Sequence, residues 1–145
     1  MLKMSLCAMT LGVCAGGACA QHAFLAEWNL IVRNDFTTTS EVDGSALIGG
    51  NVTGSGVFAS MGVTSPDGYA LAVGGSFSGN YSMNNGGGLL ANGAFSATVN
   101  MNGGGNVRTD FMPTGNINLN GGSLINPAGV NVVNDLITPI FSQAQ

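Results

Sequence analysis

The chain has 145 residues, with 3 Lys or Arg, 7 Asp or Glu, 24 Gly, 3 Cys and a formal net charge of −4. That is the length of one small domain behind a short leader. Beyond the leader the basic residues are Arg33 and Arg108, too few to displace counterions from phosphate, which argues against nucleic acid and against an anionic membrane surface as partners.

Residues 1–20 read as a signal peptide. Lys3 supplies a positive start, Met4 to Val13 a short apolar run, and Ala18-Cys19-Ala20 a small-x-small cleavage site, with cleavage expected between Ala20 and Gln21. The run is too short to cross a bilayer as a helix, so no integral membrane span is expected after cleavage. A lipidated Cys14 or Cys19 is the competing reading, and bulky Val13 and Gly16 fit it poorly. Because Cys7, Cys14 and Cys19 all fall here, the expected mature domain, residues 21–145, has no thiol, disulfide or cysteine metal site. A secreted or cell-surface location follows, and no sortase-like motif, second apolar span or basic tail near Gln145 suggests a C-terminal anchor.

Ala23 to Trp28 is the one early helix signal, expected as a small N-terminal cap or a frayed segment. From Leu30 onward short period-2 strands are broken by Gly, Asn and Asp, which predicts an all-β domain. Apolar residues recur throughout, unlike a disordered Gly-rich chain. The segments Ile48-Gly49-Gly50-Asn51-Val52, Val73-Gly74-Gly75-Ser76-Phe77 and Ala91-Asn92-Gly93-Ala94-Phe95 superimpose, with Val32 to Phe36 before them and Pro113 to Ile117 after. Reference positions 34, 50, 75, 93 and 115 give steps of 16, 25, 18 and 22 residues. Steps of this size predict a short β-solenoid of about five coils, in which Phe36, Val52, Phe77, Phe95 and Ile117 stack inward as one column. A β-sandwich, whose short strands also alternate with frequent turns, is the alternative. Ser65-Pro66-Asp67-Gly68 reads as a turn, and Asn84 to Gly88 and Asn102 to Asn106 as loops between coils. Val130 to Phe141 is apolar enough to pack, as a strand or as a short helix from Asn131 interrupted at Pro139.

One stretch carries a family resemblance. Asn29-Leu30-Ile31-Val32-Arg33-Asn34-Asp35-Phe36, the polar turn Thr37 to Gly44, and Ser45-Ala46-Leu47-Ile48-Gly49-Gly50-Asn51 resemble the opening of the choice-of-anchor A domain of bacterial secreted and surface-attached proteins. The resemblance covers residues 26–122, and Arg33-Asn34 departs from the residues usual before that Asp. It implies an extracellular location and a β-rich architecture, and no activity. Members of that family generally run on into a helical stretch, further β structure and an anchoring tail.

Catalytic material is sparse. His22 lies beside the expected new N-terminus, where a general base is poorly held, so a triad has no base and zinc finds one imidazole. Glu41 and Asp43 are two apart and share a strand face, which fits a solvated turn better than a glycosidase pair. Arg108 and Asp110 would form a surface pair. If Ca²⁺ binds, Asp35, Glu41 and Asp43 are the expected ligands; no cofactor is expected. Thr37-Thr38-Thr39 resembles the flat Thr arrays of ice-binding solenoids, but consecutive Thr alternate faces and the run does not recur. Asn51-Val52-Thr53 and Asn80-Tyr81-Ser82 are glycosylation sequons by pattern alone. Together these features predict an exported, non-enzymatic structural or adhesive module that self-associates or binds extracellular matrix. A glycan-binding or glycan-degrading β-helix is the alternative, with Trp28, Tyr69 and Tyr81 as candidates for an aromatic platform, although Trp28 is expected to be buried near the N-terminal end.

Overall fold

The computed structural model describes residues 27–142; the expected signal peptide, His22 and most of the expected N-terminal cap lie outside them. The chain folds as a β-solenoid of about five coils. One face is a six-stranded parallel sheet, ordered β1 (Leu30–Val32), β4 (Ala46–Ile48), β6 (Tyr69–Val73), β8 (Gly88–Ala91), β10 (Val107–Thr109) and β12 (Leu124–Ile125). The rest of each coil belongs to a second parallel stack, ordered β11 (Ile117–Asn118), β9 (Thr98–Met101), β7 (Asn80–Met83), β5 (Val52–Phe58) and β2 (Phe36–Thr38), with β3 (Glu41–Val42) also paired to β5. β5 spans two faces of the coil, its first half pairing with β2 and its second with β3. Stacking of like strands at the coil repeat excludes the β-sandwich alternative.

Register fixes the true repeat. Leu30 lies over Ala46, Ala46 over Leu71, Leu71 over Leu89, Leu89 over Val107 and Val107 over Leu124, giving steps of 16, 25, 18, 18 and 17. The first three steps are those predicted from sequence. The fourth is not: Ile117 lies over Val99, not over Phe95, so it belongs to the neighbouring face. The Thr114 amide donates to the Phe95 carbonyl at 2.9 Å, which sets Pro113 above Phe95 at the same 18-residue spacing. The matched glycine in Pro113 to Ile117 misled the alignment by four residues.

The other four members of the column do stack, Phe36 on Val52, Val52 on Phe77 and Phe77 on Phe95. Val52 and Phe77 are fully buried, and the Phe77 ring meets Phe95 edge-on at 5.2 Å and stacks on Tyr81 at 4.8 Å. Burial of each such side chain stabilises the fold by about 1.5–3 kcal/mol. Between the two halves of β5 the chain turns at Gly54, with φ +111°, and one coil later at Gly79, with φ +124°. A Cβ on either would lie 2.0 Å from the carbonyl oxygen of the coil below, so this corner admits no side chain there.

The six-stranded sheet is buried on both sides. Ala46, Ile48, Leu71, Val73, Leu89 and Ala91 face the solenoid core, while Leu47, Ala72 and Leu90 face outward into a second cluster with Trp28, Val132, Ile137 and Ile140. This explains the unbroken apolar runs Ala46-Leu47-Ile48 and Gly88 to Ala91 where simple alternation was expected. The cover is the C-terminal segment, π-helical over Val132–Ile137 and α-helical over Thr138–Ser142. Asn131 caps it, accepting from the Asn134 amide at 3.2 Å, while the Asn131 amide donates to Asp135 at 2.7 Å. Pro139 does not interrupt this helix, because it sits in the first turn of the α-helical piece, where an N–H is dispensable. Asn92 pins the segment to the solenoid: its Nδ2 donates to the Val130 carbonyl at 2.6 Å and its Oδ1 accepts from the Val132 amide at 2.7 Å.

Truncating the column tests the stacking. Phe77→Ala is expected to cost about 3–5 kcal/mol in chemical unfolding of the whole chain, and a neutral result would contradict an inward, close-packed Phe77.

Candidate functional site

With the six-stranded sheet covered by the C-terminal helix, two faces of the solenoid carry exposed side chains: the β2 face and the β7–β9 face. On the β2 face Thr37 stands beside Thr53, their hydroxyl oxygens 2.9 Å apart. The bridges Val52 to Phe77 and Phe77 to Phe95 carry this register upward, placing Ser78 above Thr53 and Ser96 above Ser78. The Thr114 amide bond to Phe95 then sets Thr114 above Ser96. Thr37, Thr53, Ser96 and Thr114 are exposed and Ser78 is half-buried. The result is one hydroxyl per coil over five coils, at the roughly 4.8 Å spacing of paired strands. The run Thr37-Thr38-Thr39 does not itself recur. Thr38 does turn inward, but the hydroxyl at the Thr37 register recurs as Thr or Ser.

A second ladder runs two residues earlier. The Asp35 carboxylate accepts from the Asn51 backbone amide at 2.7 Å and from its Nδ2 at 3.1 Å. The Asn51 amide oxygen in turn accepts from the Ser76 amide at 2.7 Å. Asp35 thus serves the backbone at this edge. Side chains held this way lose little freedom on contact with a ligand, which preorganises the face.

The β7–β9 face is polar and uncharged apart from Glu41 and Val57 at its start. Asn80, Thr98 and Asn116 form one column, and Ser82, Asn100 and Asn118 another. They line a shallow groove of about 300 Å³ over Gly56. Beside it the amides are chained: Asn120 donates to Asn100 at 2.8 Å, Asn100 to Asn102 at 2.7 Å, and Asn102 to Asn84 at 2.9 Å.

The other residues singled out from sequence fall as follows. Asp35, Glu41 and Asp43 do not converge, and among the described residues no three His, Cys, Asp or Glu gather into a cation site. Asp35 is engaged with Asn51, and Asp43 accepts from the Ser60 hydroxyl at 3.2 Å. Arg108 and Asp110 do not form the expected pair, because Asp110 accepts from Asn92 at 2.5 Å and from the Ala128 amide at 3.0 Å. Trp28, Tyr69 and Tyr81 do not come together as an aromatic platform. Trp28 is buried under the C-terminal helix, Tyr81 is buried in the solenoid core, and Tyr69 is half-buried at a corner. Tyr81 turns inward because its strand register puts it between Gly56 below and Val99 above, and the space left by Gly56 suits a ring. Both sequons are in exposed positions, although the Asn51 amide is already bound within its ladder.

A family model described as "Putative Ice-binding-like adhesive domain" matches residues 22–142. The chain belongs to this family of adhesive domains. None of the curated proteins and none of the solved structures matches it. Among the described residues no helix is long and apolar enough to cross a membrane.

Burial pushes the Tyr81 phenol up to about 12 from the usual 10.0. The folded state thus disfavours phenolate, so Tyr81 costs no stability below about pH 10 and an increasing amount as pH rises from about 10 toward 12. Melting temperatures over that range should fall more steeply for the wild type than for Tyr81→Phe. Parallel curves would mean that the Tyr81 hydroxyl is not desolvated.

Proposed function

We propose that the chain is an exported, non-enzymatic adhesive module of the cell surface, and that it adheres through the β2 face. Membership of an adhesive-domain family supports the adhesive class. The observation that carries the choice of face is the in-register column Thr37, Thr53, Ser78, Ser96 and Thr114 on a side of the solenoid that no helix among the described residues covers. A row of hydroxyls at strand spacing matches a ligand that itself repeats: an ordered polysaccharide surface, or an ice lattice as in the name of the family. Each contact is weak, and affinity comes from making many at once with little ordering cost. The signal-peptide pattern of residues 1–20 and the resemblance of residues 29–51 to a choice-of-anchor A opening support export and surface display.

Adsorption to cellulose, chitin and ice, measured on the full chain, tests the face. A bulky ring should lift a flat ligand off the row, so Thr53→Tyr with Ser96→Tyr is expected to weaken adsorption by tenfold or more, about 1.4 kcal/mol. The control Thr98→Tyr, on the other open face, should leave it unchanged. If Thr98→Tyr abolishes adsorption and the double variant does not, the adhesive face is the β7–β9 face.

The last coils also expose Phe111 (58%), Met112 (68%) and Leu124 (38%) beside the uncharged strands β11 and β12. An edge without charged gatekeepers pairs readily with another chain. Self-association through this end would multiply the number of adhesive faces. Light scattering across concentration should show growth that Leu124→Lys suppresses; a monodisperse monomer at high concentration would rule it out.

A further inference from the structure

Four of the five register steps span 16–18 residues, and the one that does not is the 25-residue step from β4 to β6. The extra residues form the loop between Phe58 and Tyr69, and in stacked repeats insertions of this kind gather on a binding face. The loop is held, not loose. The Ser45 hydroxyl oxygen, fully buried, accepts from the Thr64 and Ser65 amides at 3.0 Å each, and the Ser65 hydroxyl donates to the Tyr69 carbonyl at 2.8 Å. Its end, Asp67-Gly68-Tyr69, forms one wall of a notch of about 250 Å³ at the corner where the six-stranded sheet begins.

The opposite wall comes from a later coil and brings Asn106 and Arg108. The floor is glycine, Gly86 and Gly88, and Gly88 is bonded on both sides: its amide donates to the Gly68 carbonyl at 2.8 Å, and the next amide, of Leu89, donates to the Asn106 carbonyl at 2.9 Å. A Cβ on Gly88 would lie 3.2 Å from Tyr69 Cδ1 and 3.2 Å from the Asn106 carbonyl oxygen, so it would fill the space between the walls. The Arg108 side chain, half-buried, makes no ion pair or hydrogen bond among the described residues, and Asp110 is taken by Asn92 and Ala128. Its charge reaches the Tyr69 phenol, which burial raises above its usual range and which Arg108 pulls back down.

The geometry points to this notch as a second binding site, for one carboxylate-bearing sugar residue of an acidic polysaccharide. Arg108 supplies a guanidinium for the carboxylate. Asp67 and Asn106 supply an acceptor and an amide for ring hydroxyls. Tyr69 supplies an aromatic edge for the apolar face of the ring. The volume lies below the range of pockets that enclose drug-sized ligands, which fits a single ring or chain end. This site goes beyond the adhesive β2 face and shares no residue with it.

Titration of the full chain with oligogalacturonate and with its neutral, fully methyl-esterified form of the same length, followed by calorimetry and by NMR shifts at Arg108 and Tyr69, tests the assignment. Expected is oligogalacturonate binding at least tenfold tighter than the neutral sugar, with Arg108→Gln erasing that preference and Gly88→Ala abolishing binding of both. Arg108→Gln alters an outward side chain, and an unchanged melting temperature separates loss of binding from loss of fold. Equal affinity for the two sugars, no binding of oligogalacturonate, or unchanged preference in Arg108→Gln would each overturn the proposal. Thr53→Tyr with Ser96→Tyr should leave this binding intact, so failure here and failure of the β2-face reading are told apart.

Discussion

Everything in this chain depends on one constraint: parallel coils must stack with the same register around a shared narrow core. Backbone pairing alone tolerates a slip, because every strand offers the same donors and acceptors. The side chains remove that freedom. Phe36, Val52, Phe77 and Phe95 must land on one another, and Gly54 and Gly79 must land where a carbonyl from the coil below leaves no room for a Cβ. A shift by one residue would turn Thr53 and Ser78 inward and expose Val52 and Phe77, at a cost of several buried side chains at once. The regularity of the outer surface is therefore a consequence of the inner one. Hydroxyls repeat along the β2 face because large apolar residues repeat behind them.

The covered sheet decides which of the surfaces can act. Leu47, Ala72 and Leu90 point away from the core, and without a cover they would form an exposed apolar stripe. Val132, Ile137 and Ile140 close over it, held by the Asn131 cap and by Asn92. The two remaining faces need no cover, since Thr, Ser and Asn dominate them. The division of labour is thus set by composition within the strands: runs that are apolar on both sides attract the helix, and runs that alternate remain wet.

Much of this was legible in the sequence, and the misses share a cause. The solenoid, the number of coils and the steps of 16, 25 and 18 follow from recurring Gly-Gly-x-apolar motifs, which mark coil corners in the chain and in the fold alike. The last step went astray at Pro113 to Ile117 because Gly115 imitates Gly93 while stacking on Ala97 instead, a distinction visible only when strands are paired. The hydroxyl column was hidden for a related reason. Three adjacent Thr suggest a local motif, whereas the structural recurrence is one Thr or Ser per coil, separated by 16, 25, 18 and 18 residues. Tyr81 suits a sugar platform by its ring chemistry, yet strand parity decides orientation before chemistry does, and it turns the ring into the core. The role of Asn92 carries no local signal, since its partners Val130 and Val132 lie about forty residues on.

The irregular coil follows from the same constraint. A solenoid can lengthen a coil only where the extra residues leave the stack, at a corner, because inserting them within a strand would break the column above and below. The loop between Phe58 and Tyr69 obeys this: Phe58 still lies under Met83, and Leu71 still lies over Ala46. The slip is absorbed locally, by the register shift between Tyr69 and Leu71. That shift carries Tyr69 to the edge of the sheet, beside the glycines of the next two corners, and leaves a polar hollow that an unbroken stack would not contain. Regular coils make flat faces suited to repeating ligands, and the single departure makes a concavity suited to one residue of a ligand.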